Sequence, residues 1–207
     1  MAKEKDEKKC QGQHGITRRG FITTVGAGAV GVAASGAILG AGKAGAEEVM
    51  KPEEMTKVSL KVNGRTHKVL VEPRWSLLFV LREKLGLTAA KDGCSRGECG
   101  YCTVLIDGAA RLACLTLAVE AEGCEITTAE GLLKGEELGT VQQAFVEEDG
   151  MQCGFCTPGM VMSAEGLLRA NPNPSDEEIR EGMSGTICRC GAYANIFKAV
   201  KRASARM

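Results

Sequence analysis

The fold of this chain is decided by a short cysteine-rich stretch, which reads Cys94-Ser95-Arg96-Gly97-Glu98-Cys99-Gly100-Tyr101-Cys102. Four residues separate its first two cysteines, two separate the next pair, and one further cysteine follows after a short predicted strand. The glycines at positions 93, 97 and 100 are expected to take positive φ and to bring backbone N–H groups against the sulfur atoms. The stretch therefore predicts a metal centre with four thiolate ligands, Cys94, Cys99, Cys102 and Cys114.

The spacing C-x4-C-x2-C with a distant fourth cysteine is that of a plant-type [2Fe-2S] ferredoxin loop. A zinc knuckle and a disulfide framework are the alternatives. Zinc sites more often use two comparable C-x2-C pairs. The chain has only two histidines, His14 and His67, so a Cys2His2 zinc site or a Rieske centre is disfavoured. The spacing favours the iron–sulfur cluster.

Length and composition limit the other functions. The 207 residues can form one large or two small domains with a real core. The formal net charge is zero, which does not support a nucleic-acid-binding surface. The sequence contains neither G-x-G-x-x-G after a strand nor a Walker loop, and it offers no acid–base or nucleophile constellation. The chemistry on a substrate is therefore expected to lie outside this chain.

The first 46 residues have the pattern of an export signal. A hydrophilic start leads to Arg18-Arg19, then to an apolar run rich in Gly and Ala, and then to Ala44-Gly45-Ala46. This order predicts a twin-arginine signal peptide at 1–46, cleaved after Ala46, and a periplasmic protein. A transmembrane anchor is the alternative, but the small residues of the run lower its drive to insert, so no permanent anchor is expected.

Export affects the cysteines in two ways. Cys10 would leave with the signal, and the periplasm would oxidise exposed thiols. The twin-arginine route resembles a pathway that moves folded proteins, so that iron could be inserted before export. The part after residue 46 is mildly acidic, with 19 basic and 23 acidic residues, as suits a soluble exported domain.

The rest of the chain predicts an α+β fold in two domains, after a polar linker at 47–56. In the first domain, 57–131, alternating apolar residues flank Asn63-Gly64, the strongest short hairpin signal. A helix capped by Ser76 and ending at Gly86 follows. With strands near 103–106, 111–118 and 124–128, this order resembles the β-grasp module of plant-type ferredoxins.

The second domain, 132–207, predicts four helices and hence a bundle. Its predicted start signals are Thr140 with Gln143, Thr157 as a cap with Pro158 at N1, Ser175 with Glu178, and a last helix from about Ala192.

The helical domain carries a second set of cysteines, Cys153, Cys156, Cys188 and Cys190. The C-x2-C and C-x-C pairs precede two predicted helices, so that they can meet at one end of the bundle. Taken alone, this set leaves a cluster and a zinc site both open, and C-x2-C is also a redox motif. No thioredoxin-like strand precedes the first pair. Beside a ferredoxin loop, the set favours a second [2Fe-2S] cluster.

Two segments carry a family resemblance, residues 152–159 (QCGFCTPG) and 185–193 (GTICRCGAY). They resemble the second-cluster motifs of the xanthine dehydrogenase and aldehyde oxidoreductase family, and the order of the two cysteine sets is that of its iron–sulfur subunit. The exported chain is similar to the small subunit of periplasmic molybdenum-dependent aldehyde oxidoreductases.

The resemblance implies an electron relay. A molybdopterin subunit would oxidise an aldehyde, and electrons would pass through the C-terminal cluster and then the N-terminal one to an FAD subunit. Gln152 and Cys190 would lie near the pterin, and the loop of Cys94, Cys99 and Cys102 would face the flavin. Cys124 matches no ligand position and is expected to be a small buried side chain.

Four alternatives to this assignment remain. The chain could serve an N-heterocycle or purine hydroxylase, or pass electrons to a cytochrome in place of FAD. It could be a free two-cluster electron carrier. It could also be a disulfide-stabilised binding protein without iron.

Overall fold

A computed structural model of the chain describes residues 54–207. These residues lie within one compact unit. The predicted signal at 1–46, with Arg18 and Arg19, lies outside the described residues, as does most of the predicted linker. Among the described helices, none is long and apolar enough to cross a bilayer.

The first half of this unit is a five-stranded mixed sheet. Strands β1 and β5 run parallel, and the other neighbours are antiparallel. The predicted hairpin is confirmed: Val62 pairs with Arg65 across Asn63 and Gly64, whose φ values of 50° and 75° are those of a type I′ turn. In the order β2-β1-β5-β3-β4, the strands are β1 (Thr56–Val62), β2 (Arg65–Val71), β3 (Thr103–Ile106), β4 (Ala109–Leu112) and β5 (Glu125–Thr127).

A helix packs against this sheet. Helix α1 (Leu77–Phe79) continues as a π-helical turn over Val80–Lys84. The predicted cap is confirmed, because the Ser76 hydroxyl accepts the N–H of Phe79 at 3.2 Å. Its apolar residues form one buried core with β1 and β5, which includes Leu60, Leu77, Leu81 and Ile126.

The predicted strand at 111–118 is wrong in its extent. Strand β4 ends at Leu112, and the carbonyl and N–H groups of the next residues bond mainly to the start of α1. Leu78 N–H donates to Ala113 C=O, Leu77 N–H to Thr116 C=O, and Ala118 N–H to Trp75 C=O. Apolar alternation could not reveal this choice, because it depends on backbone hydrogen bonds to a distant segment.

Four helices form the second half, as predicted: α2 (Thr140–Glu147), α3 (Thr157–Ala170), α4 (Asp176–Met183) and α5 (Tyr193–Ser204). The Ser175 and Glu178 capping box is confirmed, with Ser175 N–H donating to Glu178 at 2.7 Å.

Two predicted helix starts are wrong by one residue. Gln142, and not Gln143, accepts the N–H of Gly139 at 2.9 Å, so that the chain turns into α2 one residue earlier. Thr157 is the first residue of α3 and not its cap, since Cys156 holds the cap position. The Thr157 hydroxyl is thereby left without a capping partner.

The two halves share an interface built by α3. Leu105 of β3 belongs to the buried core of the helices. A Cβ at Gly166 of α3 would lie 2.9 Å from Ala110 Cβ of β4. The helix therefore lies directly on the strand pair beside the ferredoxin-like loop, which fixes the two cysteine loops relative to each other.

Helices α2 and α5 are joined by a charged cluster around Glu147. Arg206 donates to both carboxylate oxygens of Glu147, at 3.1 and 2.7 Å, and Arg202 donates at 2.9 Å. The Arg206 guanidinium and then the Gln143 amide hold the pKa of Glu147 down, at about 2. A group with a lowered pKa stabilises the fold above its unfolded pKa of about 4.3, and this contribution is lost as the pH falls through about 2.

We expect Glu147→Gln to lower the Tm by a few degrees at most, since the cluster is exposed and screened by solvent. The Tm difference from the wild-type protein should stay constant between pH 5.5 and 8, and shrink in 1 M NaCl. Differential scanning calorimetry measures both. Glu177→Gln, in an exposed pair with Arg180 on α4, is the control and should have no effect. A difference that changes across this pH range would show that another group dominates.

Candidate metal centres

The first four predicted ligands come together beside β3. Cys94, Cys99 and Cys102 come from the loop between α1 and β3, and Cys114 follows β4. Their side chains form two hydrogen-bonded pairs, Cys94 with Cys99 and Cys102 with Cys114. Cys99 and Cys102 are buried, and the other two are half-buried.

Backbone amides and burial act on these thiols in opposite directions. The Arg96 N–H, and more weakly those of Cys99 and Glu98, lower the pKa of Cys94 to about 7. Burial raises the pKa of Cys102 to about 12. Buried thiols of this kind lose their protons when a metal cation takes the protons' place, so the site suits a cluster that supplies positive charge.

The loop reaches this shape by backbone conformations that differ in part from those predicted. Gly97 and Gly100 have positive φ, but Gly93 does not, and Ser95 takes φ 50° in its place. Gly93 is needed for space, since a Cβ there would lie 2.5 Å from Tyr101 Cδ2.

The second four predicted ligands also come together in two pairs. Cys153 is hydrogen-bonded to Cys190, and Cys156 to Cys188. The Phe155 N–H lowers the pKa of Cys153, and burial raises that of Cys156 to about 12. Burial tends to raise the pKa of Cys188. The N–H groups of residues 190–192 and the Cys156 thiol outweigh it and lower this pKa.

The two pairs of this second set differ in exposure. Cys156 and Cys188 are buried, whereas Cys153 and Cys190 are exposed, as is Gln152 beside them. One side of the set therefore faces the interior, and the other faces solvent.

A backbone hydrogen bond joins the two sets directly. The Ile187 N–H donates to the Cys99 C=O at 3.0 Å. Cys99 is a predicted ligand of the first centre, and Ile187 precedes Cys188, a predicted ligand of the second. A Cβ at Gly100 would lie 2.3 Å from Gly185 O, and one at Gly159 would lie 2.5 Å from Gly100 O. Glycines on both sides permit this close approach.

The donor sets fit two [2Fe-2S] clusters. Each set offers four thiols in two pairs, and a two-iron cluster takes two thiolates on each iron. Thr157 Oγ1, next to Cys156, is the only buried side-chain oxygen or nitrogen in residues 54–207 without a hydrogen-bond partner. Such a group usually has a partner, and a cluster sulfur beside Cys156 can be that partner. Within the same residues, no group of three His, Cys, Asp or Glu side chains is arranged so that it could hold a single metal ion.

Two other residues make contacts that the sequence pattern did not reveal. Cys124 lies outside both sets, as predicted, but it is half-buried and its thiol donates to Asp107. Tyr101 packs its ring edge-on against Phe155, with centroids 5.4 Å apart. The sequence gives no signal for this contact, because 53 residues separate the two rings.

Comparison with known proteins gives two matching family models. Residues 60–123 match the model "2Fe-2S iron-sulfur cluster binding domain", and residues 128–201 match "[2Fe-2S] binding domain". The two models cover the loop of Cys94 and the set of Cys153 respectively.

Individual relatives match over most of the chain and are of the same kind. The aldehyde oxidoreductase iron-sulfur-binding subunit PaoA of Escherichia coli (strain K12) is 46% identical, over 73% of this chain and 72% of that one. The nicotinate dehydrogenase small FeS subunit of Eubacterium barkeri is 45% identical, over 72% and 95%. The crystal structure of quinoline 2-oxidoreductase from Pseudomonas putida 86 is similar with a TM-score of 0.70 and 47% identity, over 73% of this chain and 95% of that one.

Proposed function

The chain belongs to the family of [2Fe-2S] small subunits of the xanthine dehydrogenase and aldehyde oxidoreductase type, and from this premise we propose how it passes electrons and between which partners. It is the electron-transfer subunit of a molybdenum hydroxylase. Two bound [2Fe-2S] clusters would each accept and release one electron with little rearrangement. We propose Cys94, Cys99, Cys102 and Cys114 as the ligands of the first, and Cys153, Cys156, Cys188 and Cys190 as those of the second.

The observation that carries this proposal is the Ile187 to Cys99 hydrogen bond. It connects a predicted ligand of one cluster to the neighbour of a predicted ligand of the other, without a solvent gap. A chain that only bound two separate metals would not need the approach of Gly100 to Gly185 and Gly159. This contact supports electron exchange between the two proposed clusters.

The exposure of the cysteines supports a direction for electron flow, from the second set to the first. Cys153, Cys190 and Gln152 form the exposed side of the second set, and we propose that the molybdopterin of the large subunit docks there. Cys156 and Cys188 are buried, and Ile187 beside Cys188 bonds to Cys99 of the first set. Electrons would then leave through the first set, whose half-buried Cys94 is the proposed side for an FAD subunit.

The substrate belongs to the partner, because this chain has no acid–base or nucleophile constellation. We propose an aldehyde, oxidised to the carboxylic acid, from the likeness to PaoA. The nearly equal likeness to a nicotinate dehydrogenase subunit favours an N-heterocycle as the second candidate.

Purification of the tagged full-length chain from its host tests the function. We expect two larger chains to co-purify with molybdenum and flavin, and the visible absorption of the clusters to bleach anaerobically on addition of an aldehyde such as benzaldehyde. Bleaching by nicotinate and not by aldehydes would assign the second candidate. A complex without molybdenum, or iron–sulfur absorption that no partner substrate bleaches, would overturn the proposal.

We further propose that the protein is exported to the periplasm by the twin-arginine route, on the motif around Arg18 and Arg19. Replacing both arginines by lysine keeps the charge, and we expect it to leave nearly all of the chain in the cytoplasm with its iron bound. Cell fractionation followed by immunoblotting measures this. Replacing Lys8 and Lys9 by arginine is the matched control and should leave export unchanged. Equal periplasmic amounts of wild-type and variant protein would contradict the signal assignment.

A further inference from the structure

Tyr101 lies on the ferredoxin-like loop and reaches toward the second cysteine set. It stands between the predicted ligands Cys99 and Cys102, and its ring meets Phe155 edge-on, at an interplanar angle of 88°. Phe155 stands between Cys153 and Cys156. The two rings therefore join one ligand loop to the other.

The phenol is surrounded by thiols of both sets. Burial and then the nearby thiols Cys99, Cys156 and Cys188 raise the pKa of Tyr101. Its hydroxyl makes no hydrogen bond within residues 54–207. Sulfur atoms that carry negative charge are acceptors for such a hydroxyl.

Two glycines leave space for this tyrosine, one beside its ring and one beside its backbone. A Cβ at Gly93 would lie 2.5 Å from Tyr101 Cδ2, and a Cβ at Gly159 would lie 3.0 Å from Tyr101 Cα. Any side chain at either position would displace the tyrosine or its loop. The ring thus lies between Gly93 of its own loop and Phe155 of the second ligand loop.

We propose that Tyr101 is a positioning residue that promotes electron transfer between the two clusters in two ways. Its ring keeps water out of the space between the two ligand sets. Its hydroxyl, which lies near thiols of both sets, would stabilise the negative charge added when a cluster is reduced and so raise the reduction potentials. Electrons would pass between the clusters without oxidation or reduction of Tyr101. This inference rests on the proposed function.

The test compares three variants by redox titration followed with electron paramagnetic resonance, which reports each cluster separately. Tyr101→Phe keeps the ring and removes the hydroxyl. We expect it to lower the ratio of reduced to oxidised first cluster, at a fixed potential, by about threefold to tenfold; tenfold corresponds to ~59 mV for one electron. Tyr193→Phe is the matched control, since the Tyr193 hydroxyl accepts the Cys188 N–H at 2.7 Å, and should leave the potential of the first cluster unchanged.

Tyr101→Ala removes the ring as well. We expect it to slow electron transfer between the clusters at least tenfold in the assembled complex, measured after rapid one-electron reduction, because water enters the space between them. Unchanged potentials in Tyr101→Phe together with an unchanged transfer rate in Tyr101→Ala would overturn the inference. Absence of both cluster signals in the wild-type chain would instead overturn the proposed function.

Discussion

Replacing Cys99 by Ala is expected to remove one of the two paramagnetic signals of the reduced protein and half of its iron. Three remaining thiolates cannot complete the ligand shells of two irons, so the first cluster is lost. The second cluster keeps all four of its proposed ligands. Low-temperature electron paramagnetic resonance, together with an iron assay, measures the outcome.

Two further variants make this test specific. Cys156→Ala should remove the other signal, since its thiol belongs to the second set. Cys124→Ala should keep both signals and all of the iron, because its thiol bonds to Asp107 and lies outside both sets. Survival of both signals in Cys99→Ala would show that the proposed ligand set is wrong.

Replacing Gly100 by Ala is expected to destabilise the protein by roughly 2 to 5 kcal/mol. Part of this is the cost of a positive φ, 74° at this position. The larger part is steric, since the new Cβ would lie 2.3 Å from Gly185 O and 2.7 Å from Thr186 Cα, and backbone atoms cannot move aside cheaply. We expect the Tm to fall by about 10 °C. Thermal unfolding monitored by the visible absorption of the clusters measures it.

Gly64→Ala is the control for the backbone term. Gly64 has nearly the same φ, 75°, but no atom lies within 4 Å of its ideal Cβ. It should therefore lower the Tm by only a few degrees. If the two variants were equally destabilised, the approach of the loop to residues 185–186 would contribute nothing.

Local patterns predicted the parts of this fold that local chemistry determines. Asn63-Gly64 specifies its hairpin, Ser76 caps its helix, and Ser175 with Glu178 form their capping box, because each depends on residues at most three positions apart. The cysteine spacings likewise predicted two sets of four thiols, and the structure brings both sets together.

What the sequence could not predict depends on distant segments. The end of β4 at Leu112 is set by backbone bonds to the start of α1, about 35 residues earlier. The hydrogen bond from Ile187 to Cys99 and the edge-on contact of Tyr101 with Phe155 join segments that no spacing relates. Gly93 illustrates the point: it was expected for its φ, but it is required because a ring from its own loop folds over it.

The exposure of Cys153 and Cys190 has a consequence for the life of the subunit before assembly. Oxygen and chelators can reach iron bound by exposed cysteines, whereas iron bound by the buried Cys99 and Cys102 is shielded. A solitary copy kept in air should therefore bleach in its helical half first. The large subunit would then protect the second cluster from oxygen, as well as supply the electrons that this cluster passes on.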